Sequence, residues 1–151
     1  MKFALDTNIF IDGFRNEAAQ ADVLAFLSRA LPFTYLIAVV MQELAAGARS
    51  ADAARELQRG VFGPFERRGR IVVPSAAAFA ESGRVVAALA SSEGWKAIDQ
   101  KPSLLNDALI AVSCRERGMT LITKDADFKR LARLIRGFRH TSPWPALGEV
   151  H

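Results

Sequence analysis

Residues 104–125 read LLNDALIAVSCRERGMTLITKD, a stretch that combines a helix, a stop signal and a strand. A helix is predicted at residues 104–117, with Ser103 as its N-cap and Gly118 as its stop. It should be largely buried, because within residues 107–114 only Asp107 and Ser113 are polar. The aliphatic and β-branched residues 119–123 then predict a strand. A helix of this length that leads directly into a strand is typical of βαβ units, so the stretch indicates a parallel sheet.

The same alternation of strands and helices extends along the rest of the chain. Strands are predicted at residues 2–5, 34–39, 70–73 and 119–123, with a further strand at 138–141. Helices are predicted at residues 9–14, 18–31, 40–46, 51–59, 76–93, 104–117 and 129–136, and residues 95–102 are predicted to form a loop. On helix 76–93, Phe79, Val86 and Leu89 have the spacing of core residues. We therefore expect one α/β domain over residues 1–151, with a mostly parallel sheet of about four or five strands and helices on both faces.

Composition narrows the classes of protein to consider. Half of the residues are hydrophobic and 24% are charged, as expected for a folded domain rather than a disordered chain. The longest uninterrupted apolar run, residues 35–41, is far shorter than the roughly 20 residues needed to cross a bilayer. Asp6 also interrupts the N-terminus where a signal peptide would be apolar. We therefore expect a cytoplasmic protein with no membrane partner.

The side chains available for metal binding are mainly oxygen ligands. Cys114 is the only cysteine, so no disulfide can form within the chain, and His140 and His151 are too few for a zinc site. Any bound metal should then be a hard ion held by oxygen atoms. The net charge of +4 and the pI near 9.7 favour a polyanionic partner without identifying it.

Acidic residues follow the predicted strands, at the edge where open α/β sheets place their sites. Asp6 directly follows the first strand, and Glu43 lies about one turn into the helix after the second strand. Asp125 and Asp127 both follow the strand at residues 119–123. Each of these acids also has an ordinary structural interpretation, as a turn former, a helix cap or a solvated helix residue.

A structural role as a cap or turn former explains Asp6, Asp107 and Asp125 less well. Thr7 and Asn8 can cap the first helix themselves, which leaves the Asp6 carboxylate free. Asp107 opens the apolar helix and needs a partner there, which is a buried Arg or Lys, the helix dipole or a metal ion. After the fourth strand one acid suffices as a cap, and Asp125 is the one nearer the strand end.

A cluster of carboxylates at one edge of a sheet has a chemical interpretation. Such groups repel one another, and a divalent cation removes that cost. Magnesium and manganese prefer oxygen ligands, and magnesium keeps waters that can face substrate phosphates. A divalent ion also lowers the pKa of water and neutralises charge on a phosphate. The acidic residues therefore indicate phosphodiester hydrolysis.

Four segments together resemble the successive motifs of PIN domains. They read LDTNIFID at residues 5–12, QELAAG at 42–47, NDALIA at 106–111 and LITKDADF at 121–128. Their order and separation match over almost the whole chain, and the compact length further resembles the VapC-type toxins of bacterial toxin–antitoxin pairs. The resemblance implies a metal-dependent endoribonuclease whose products carry 5′-phosphate and 3′-hydroxyl ends.

The resemblance also implies roles for individual residues. The acidic quartet would be Asp6, Glu43, Asp107 and Asp125. Mg²⁺ or Mn²⁺ would be held by Asp6, Asp107 and Asp125, while Glu43 would orient or deprotonate the attacking water. Supporting positions would be Thr7, Asn8, Thr123 and Asp127. Ala38 departs from the pattern, because such proteins often carry Ser or Thr at that strand end, and this puts one hydroxyl contact in doubt.

The partners implied by the resemblance are an RNA substrate, a small cognate antitoxin and a second copy of the chain in a homodimer. The antitoxin would lay an amphipathic segment between helices 18–31 and 40–46 and direct an Arg or Lys at the acids. Leu24, Leu27 and Leu44 are the expected groove residues, although ordinary core positions explain them equally well.

Basic residues near the C-terminus are candidates for contact with RNA phosphates. Those on the polar face of the last predicted helix are Arg130, Arg133 and Arg136. A solvated helix face explains these arginines equally well.

Other functional classes remain open at this point. A phosphoacceptor receiver domain needs a phosphorylatable Asp after the third strand, where this chain has Pro74 and Ser75. A housekeeping PIN nuclease would keep the same chemistry without an antitoxin. A non-catalytic binding module of the same fold is disfavoured by the presence of all four acids, and a metal-dependent nuclease assay distinguishes it.

Overall fold

A five-stranded parallel sheet forms the centre of the protein in this computed structural model, which describes residues 1–148. The strands are β1 (Lys2–Leu5), β2 (Thr34–Ile37), β3 (Ile71–Val72), β4 (Met119–Ile122) and β5 (Arg139–Thr141). Their order across the sheet is β3-β2-β1-β4-β5, and each neighbouring pair is parallel. The parallel α/β sheet predicted from the sequence is confirmed.

Helices connect the strands and share one hydrophobic core with them. They are α1 (Thr7–Arg15), α2 (Glu17–Ala30), α3 (Ala38–Gly47), α4 (Ala51–Leu57), α5 (Gly63–Arg67), α6 (Ala76–Glu93), α7 (Trp95–Asp99), α8 (Leu104–Glu116) and α9 (Asp127–Leu134). A 3-10 turn, Leu31–Phe33, precedes β2, and a π-helical turn, Gln58–Phe62, joins α4 to α5. No helix within residues 1–148 is long and apolar enough to cross a membrane.

The course of the chain places the switch point of the sheet at β1. From β1 the chain builds outward through β2 and β3, and it then returns to the other side of β1 with β4 and β5. Open α/β sheets bind ligands at the carboxyl ends of the strands beside such a point. Leu5 pairs with Ile122 at the end of the ladder, and the Asp6 N–H donates to the Ile122 carbonyl at 3.0 Å. The residues that follow β1 and β4 therefore lie side by side.

Helix α8 is buried along almost its whole length, as its apolar sequence predicted. Ala108, Ile110, Ala111 and Val112 are fully buried, and the helix contacts α6, α3 and α9. Each large aliphatic side chain removed from water stabilises the fold by roughly 1.5–3 kcal/mol. This packing fixes the first turn of α8, which carries Asp107, against the end of the sheet.

The chain is helical in two places where the sequence predicted otherwise. The loop predicted at residues 95–102 contains the short helix α7. The chain also stays helical past Gly60, Gly63 and Pro64. Pro64 lies in the first turn of α5, the part of a helix where proline is tolerated best. A Cβ at Gly63 would lie 2.9 Å from the Gln58 carbonyl oxygen, so this glycine allows close packing rather than ending a helix.

Two further differences concern the limits of β2 and the face of α6. Strand β2 ends at Ile37, so Ala38 is the first residue of α3 rather than a strand end. The pairing of β2 with β3 also ends there, because the two residues of β3 pair with Leu36 and Ile37. Phe79 was expected in the core but is 57% exposed, because α6 directs smaller residues such as Ala78 inward.

Candidate active site

Asp6 is the first residue after β1 and the N-cap of α1. Its Oδ1 accepts a 2.8 Å hydrogen bond from the Thr7 N–H, and its Oδ2 accepts one of 2.7 Å from the Thr123 hydroxyl. The expectation that Thr7 or Asn8 would cap the helix is therefore wrong, because Asp6 itself caps α1. Each carboxylate oxygen has a second lone pair, so Asp6 can still bind a cation.

The segment after β4 is fixed by a chain of hydrogen bonds. Thr123, which donates to Asp6, also accepts a 3.0 Å hydrogen bond from the Asp125 N–H. Asp125 Oδ1 in turn accepts one of 2.9 Å from the Asp127 N–H. The Thr123 N–H donates to the Thr141 carbonyl at 3.0 Å. These bonds join β4, β5 and Asp6, and they hold Asp125 at the same edge of the sheet.

Glu43 enters the site from α3, the helix that follows β2. Its Oε1 accepts a 2.9 Å hydrogen bond from the Thr7 hydroxyl. Thr7 and Thr123 therefore each orient one acid, Glu43 and Asp6 respectively. Asn8, another residue of the first motif, has a buried Oδ1 with no hydrogen-bond partner among the described residues.

Asp107 lies in the first turn of α8 and is 6% exposed. The positive end of the helix dipole favours a carboxylate there. Its Oδ2 is nevertheless buried and accepts no hydrogen bond from residues 1–148. Lys101 Nζ lies 3.7 Å from this oxygen, a distance that suits an ion pair but is too long for a hydrogen bond. An unsatisfied buried carboxylate oxygen is costly, so Asp107 has the properties of a ligand-binding group.

Burial and neighbouring carboxylates alter the protonation of Asp6 and Asp107. Burial raises the pKa of Asp107 to about 7 and the pKa of Asp6 to about 6. Repulsion by neighbouring carboxylates contributes to both increases, and Glu43 and Asp125 act on each of the two residues. Glu43 and Asp125 therefore lie close enough to Asp6 and Asp107 to repel them at the carboxyl edge of the sheet.

Lys101 is a member of this site that the sequence did not reveal. It lies between α7 and α8, in the segment predicted to be a loop. Its ammonium contacts Asp127 and lies 3.4 Å from Asp125 Oδ2 and 3.7 Å from Asp107 Oδ2. A lone lysine followed by Pro102 has no pattern that indicates a function, and its closeness in sequence to Asp107 was the only available signal.

The available donors fit a hard divalent cation. They are carboxylate and hydroxyl oxygens, and Asp107 Oδ2 has no competing hydrogen bond within residues 1–148. In this same part of the chain, no three acidic, histidine or cysteine side chains are already spaced to hold an ion. Ligation through water, which magnesium usually retains, suits carboxylates at this wider spacing.

The three arginines considered for phosphate binding are not equivalent. Arg130 pairs with Glu93 at 2.6 Å and with Asp127 at 3.3 Å. Arg133 and Arg136 are exposed and form no ion pair with the residues that the structure describes. Arg130 is therefore held by acids of the protein, whereas Arg133 and Arg136 are free to contact a phosphate.

An apolar groove of about 900 Å³ opens beside the acids, and helices α1 to α5 contribute to its walls. Leu24, Leu27 and Leu44, the residues expected in such a groove, all line it. Phe14 and Glu43 line it as well. Leu24 is 60% exposed and Phe14 is 57% exposed, so the groove presents apolar surface to solvent. Because Glu43 lines the groove and is also one of the four acids, the groove is continuous with the acidic site.

Comparison with known proteins now identifies the family. The model of the PIN domain matches residues 3–134. The chain belongs to the PIN domain family. All four motifs on which the resemblance rested lie within the matched part of this PIN domain. A search of curated proteins found no match.

Several solved structures share the fold of this PIN domain. FitAcB from Neisseria gonorrhoeae is 23% identical with a TM-score of 0.67, over 94% of this chain and 98% of that chain. DNA-bound VapBC from Salmonella typhimurium is 24% identical with a TM-score of 0.63, over the same shares, 94% and 98%. A toxin–antitoxin complex from Klebsiella pneumoniae is 22% identical with a TM-score of 0.59, over 96% and 100%. At these identities the likeness establishes a common fold along nearly the whole chain.

The raised pKa values predict how the stability of the metal-free protein depends on pH. Asp6 and Asp107 bind protons more tightly in the folded chain than their ordinary pKa of 3.8 allows in the unfolded chain. Below pH 3.8 both carboxyls are protonated in the folded and the unfolded chain, and the free energy of unfolding is at its highest with respect to these groups. Above pH 3.8 the unfolded chain ionises first, so this stability is lost until the folded carboxyls also ionise, at about 6 for Asp6 and about 7 for Asp107. Asp107→Asn should therefore be more stable than wild type at pH 8 by a few kcal/mol, with a smaller gain at pH 5.

Urea unfolding followed by circular dichroism in EDTA measures this effect. Asp52→Asn, which removes an exposed ion pair with Arg55 on α4, serves as the control and should change stability by less than about 1 kcal/mol at either pH. An Asp107→Asn protein that is no more stable than wild type at pH 8 would contradict the assignment of a buried, repelled carboxylate.

Proposed function

We propose that this PIN domain is an endoribonuclease that hydrolyses RNA phosphodiester bonds with Mg²⁺ or Mn²⁺. The supporting observation is the meeting of four acids around an Asp107 oxygen that has no hydrogen-bond donor within residues 1–148. Carboxylates that repel one another destabilise a fold but suit a cation site, and perturbed acids of this kind are concentrated at functional sites.

The roles of the residues follow from their contacts. Asp6, Asp107 and Asp125 would hold the ion directly or through water. A bound divalent ion lowers the pKa of water and neutralises charge on a phosphate. Glu43, oriented by the Thr7 hydroxyl at 2.9 Å, accepts the proton of the attacking water. The water oxygen bonds to phosphorus as the bond from phosphorus to the 3′-oxygen breaks, and the departing 3′-oxygen takes up a proton, which leaves 5′-phosphate and 3′-hydroxyl ends. Attack by the RNA 2′-hydroxyl would instead expel the 5′-oxygen.

Asp107→Asn should lower RNA cleavage by about 100-fold or more while the protein stays folded. The amide has nearly the volume of the carboxylate but lacks the charge that binds the cation. Cleavage of end-labelled RNA in magnesium, followed by analysis of the product ends, measures the effect. Asp52→Asn, an exposed acid of α4, is the control and should cleave like wild type.

Three outcomes would contradict the nuclease proposal at different points. Near-wild-type cleavage by Asp107→Asn would remove this residue from the site. Activity that persists after thorough chelation with EDTA would remove the metal from the mechanism. A wild-type protein that binds RNA without cleaving it would instead indicate a non-catalytic module.

We further propose that this PIN domain is the toxin of a toxin–antitoxin pair. A similar fold occurs in the Klebsiella toxin–antitoxin complex described above. The groove beside the acids also suits an inhibitor, because an amphipathic segment can bury apolar surface on Leu24 and Phe14. Where the groove reaches Glu43, a cation of that segment would meet the acids. The VapC-type resemblance also implies a homodimer, which light scattering of the purified protein tests.

Expression of wild type alone should arrest growth, and coexpression of the small open reading frame beside its gene should restore growth and yield a stable complex. Leu24→Glu should weaken that complex at least about 10-fold by placing a charge in the groove. Phe79→Glu is the matched control, because Phe79 is similarly exposed but lies on α6, outside the residues that line the groove.

The affinity of the purified complexes can be measured by titration calorimetry. Equal affinities for Leu24→Glu and Phe79→Glu would exclude this groove as the binding surface. If wild type cleaves RNA but does not affect growth, the toxin proposal fails and a housekeeping nuclease remains.

We also propose that Arg133 and Arg136 bind RNA phosphates, and that Arg130 serves mainly to hold Glu93 and Asp127. Replacing both Arg133 and Arg136 with Gln should reduce the slope of log affinity against log salt by about 1.4, or roughly 0.7 for each phosphate of single-stranded RNA that an arginine no longer neutralises. Fluorescence anisotropy measures binding, with Asp107→Asn as the background to prevent cleavage.

The control for this measurement replaces Arg55 and Arg59, two exposed arginines at α4 and the following turn, with Gln. It removes the same net charge and should leave the slope close to that of the unmodified background. Equal slopes for the two double variants would show that Arg133 and Arg136 are ordinary solvated residues.

A further inference from the structure

Lys101 places a positive charge in the acidic site from outside the four motifs. Its Nζ contacts Asp127 and lies within ion-pair distance of Asp125 and Asp107, at 3.4 and 3.7 Å. The Lys101 side chain is 27% exposed, so it stays partly in contact with solvent. Among residues 1–148, Lys101 is the one basic residue within ion-pair distance of Asp107 Oδ2, an oxygen that accepts no hydrogen bond from those residues.

The backbone around Lys101 is held in place although it connects two helices. The Lys101 N–H donates to the Ile98 carbonyl at 3.0 Å, and its own carbonyl accepts from the Leu104 N–H at 3.1 Å. The base of the side chain is therefore fixed, while the four-carbon stem leaves the ammonium free to move. A lysine differs in this respect from an arginine, whose rigid fork binds in fewer geometries.

The acids around Lys101 are not equally supplied with cations. Asp127 pairs with Arg130 as well as with Lys101, and Arg130 is itself anchored by Glu93. Asp107, by contrast, forms an ion pair with Lys101 alone among the described residues. The ammonium can therefore leave Asp107 and remain bound to Asp127, but Asp107 then needs another positive charge.

We propose that Lys101 is an internal counter-cation that takes the place of the metal in the metal-free protein, and that metal binding displaces its ammonium from Asp107 and Asp125 toward Asp127. This inference rests on the metal site of the proposed function. An ammonium and a divalent ion that share the same carboxylates repel each other strongly in a partly buried site. Lys101 therefore lowers the affinity for metal and stabilises the protein when metal is absent.

Titration calorimetry with Mn²⁺ alone compares wild type with Lys101→Met, Lys101→Arg and Lys96→Met. Lys96 lies on the adjacent helix α7 and is exposed, so its replacement removes the same charge without touching the acids. Lys101→Met should bind Mn²⁺ about tenfold more tightly than Lys96→Met. Lys101→Arg keeps the charge and should stay within about threefold of wild type.

Thermal unfolding in EDTA supplies a second measurement that does not depend on activity. Lys101→Met should have a lower Tm than Lys96→Met without metal, because the carboxylates lose their counter-cation. Saturating Mn²⁺ should abolish this difference, since the bound ion then neutralises the acids in both proteins.

The outcomes separate this inference from the proposed function. If wild type binds Mn²⁺ but Lys101→Met binds it no more tightly than Lys96→Met, the role of Lys101 is wrong and the nuclease proposal stands. An unchanged Tm of Lys101→Met in EDTA would equally overturn the counter-cation. If neither wild type nor any variant binds Mn²⁺, the metal site itself fails, and this inference fails with it.

Discussion

The hydrogen bond from the Thr123 hydroxyl to the Asp6 carboxylate joins the ends of the two central strands, and the arrangement of the site depends on it. Burial of Asp6 is unfavourable, and this bond together with the cap of α1 offsets part of the cost. Because Thr123 also accepts from the Asp125 N–H, the same hydroxyl sets the position of a second acid. One threonine thus couples the register of the sheet to the spacing of the carboxylates.

The core and the site act on stability in opposite directions. Helix α8 packs apolar residues along nearly its whole length, yet it carries Asp107 into a buried place where that carboxylate is poorly satisfied. The surrounding helices hold the first turn of α8 rigidly enough to maintain this unfavourable group. Such a conflict between local chemistry and packing is expected where a protein retains residues for binding or catalysis rather than for stability.

The parts of the molecule that repeat a pattern could be predicted from the sequence. The alternation of apolar strands and helices predicted the parallel sheet, and Asp6, Glu43 and Asp125 were expected at its carboxyl edge because each comes after a strand. Asp107 was singled out for a different reason, its place at the start of an apolar helix. Residues whose role depends on three-dimensional neighbours could not be predicted in this way. The helix predicted at residues 51–59 continues through Gly63, which allows a close approach to the Gln58 carbonyl, and Phe79 had core spacing but faces solvent.

Lys101 shows the same limit within the site. Periodicity describes how a segment is folded, and the segment around Lys101 has no period that predicts where its side chain extends. Its position depends on how α7 and α8 each pack against α6, which the local sequence around Lys101 does not determine. The capping of α1 by Asp6 was missed for a related reason, since a residue can serve a helix and a site at once.

The order of the strands also has a consequence for synthesis of the protein on the ribosome. The central strand β1 is made first, but its partner β4 begins at Met119, after most of the chain has been translated. Until then the nascent chain has an incomplete sheet with one side of β1 unpaired, and Asp6 lacks the hydroxyl of Thr123. Sheets closed by such distant segments fold slowly, because a long loop must be ordered before the contacts form. Most of this chain is therefore synthesised before the four acids can meet.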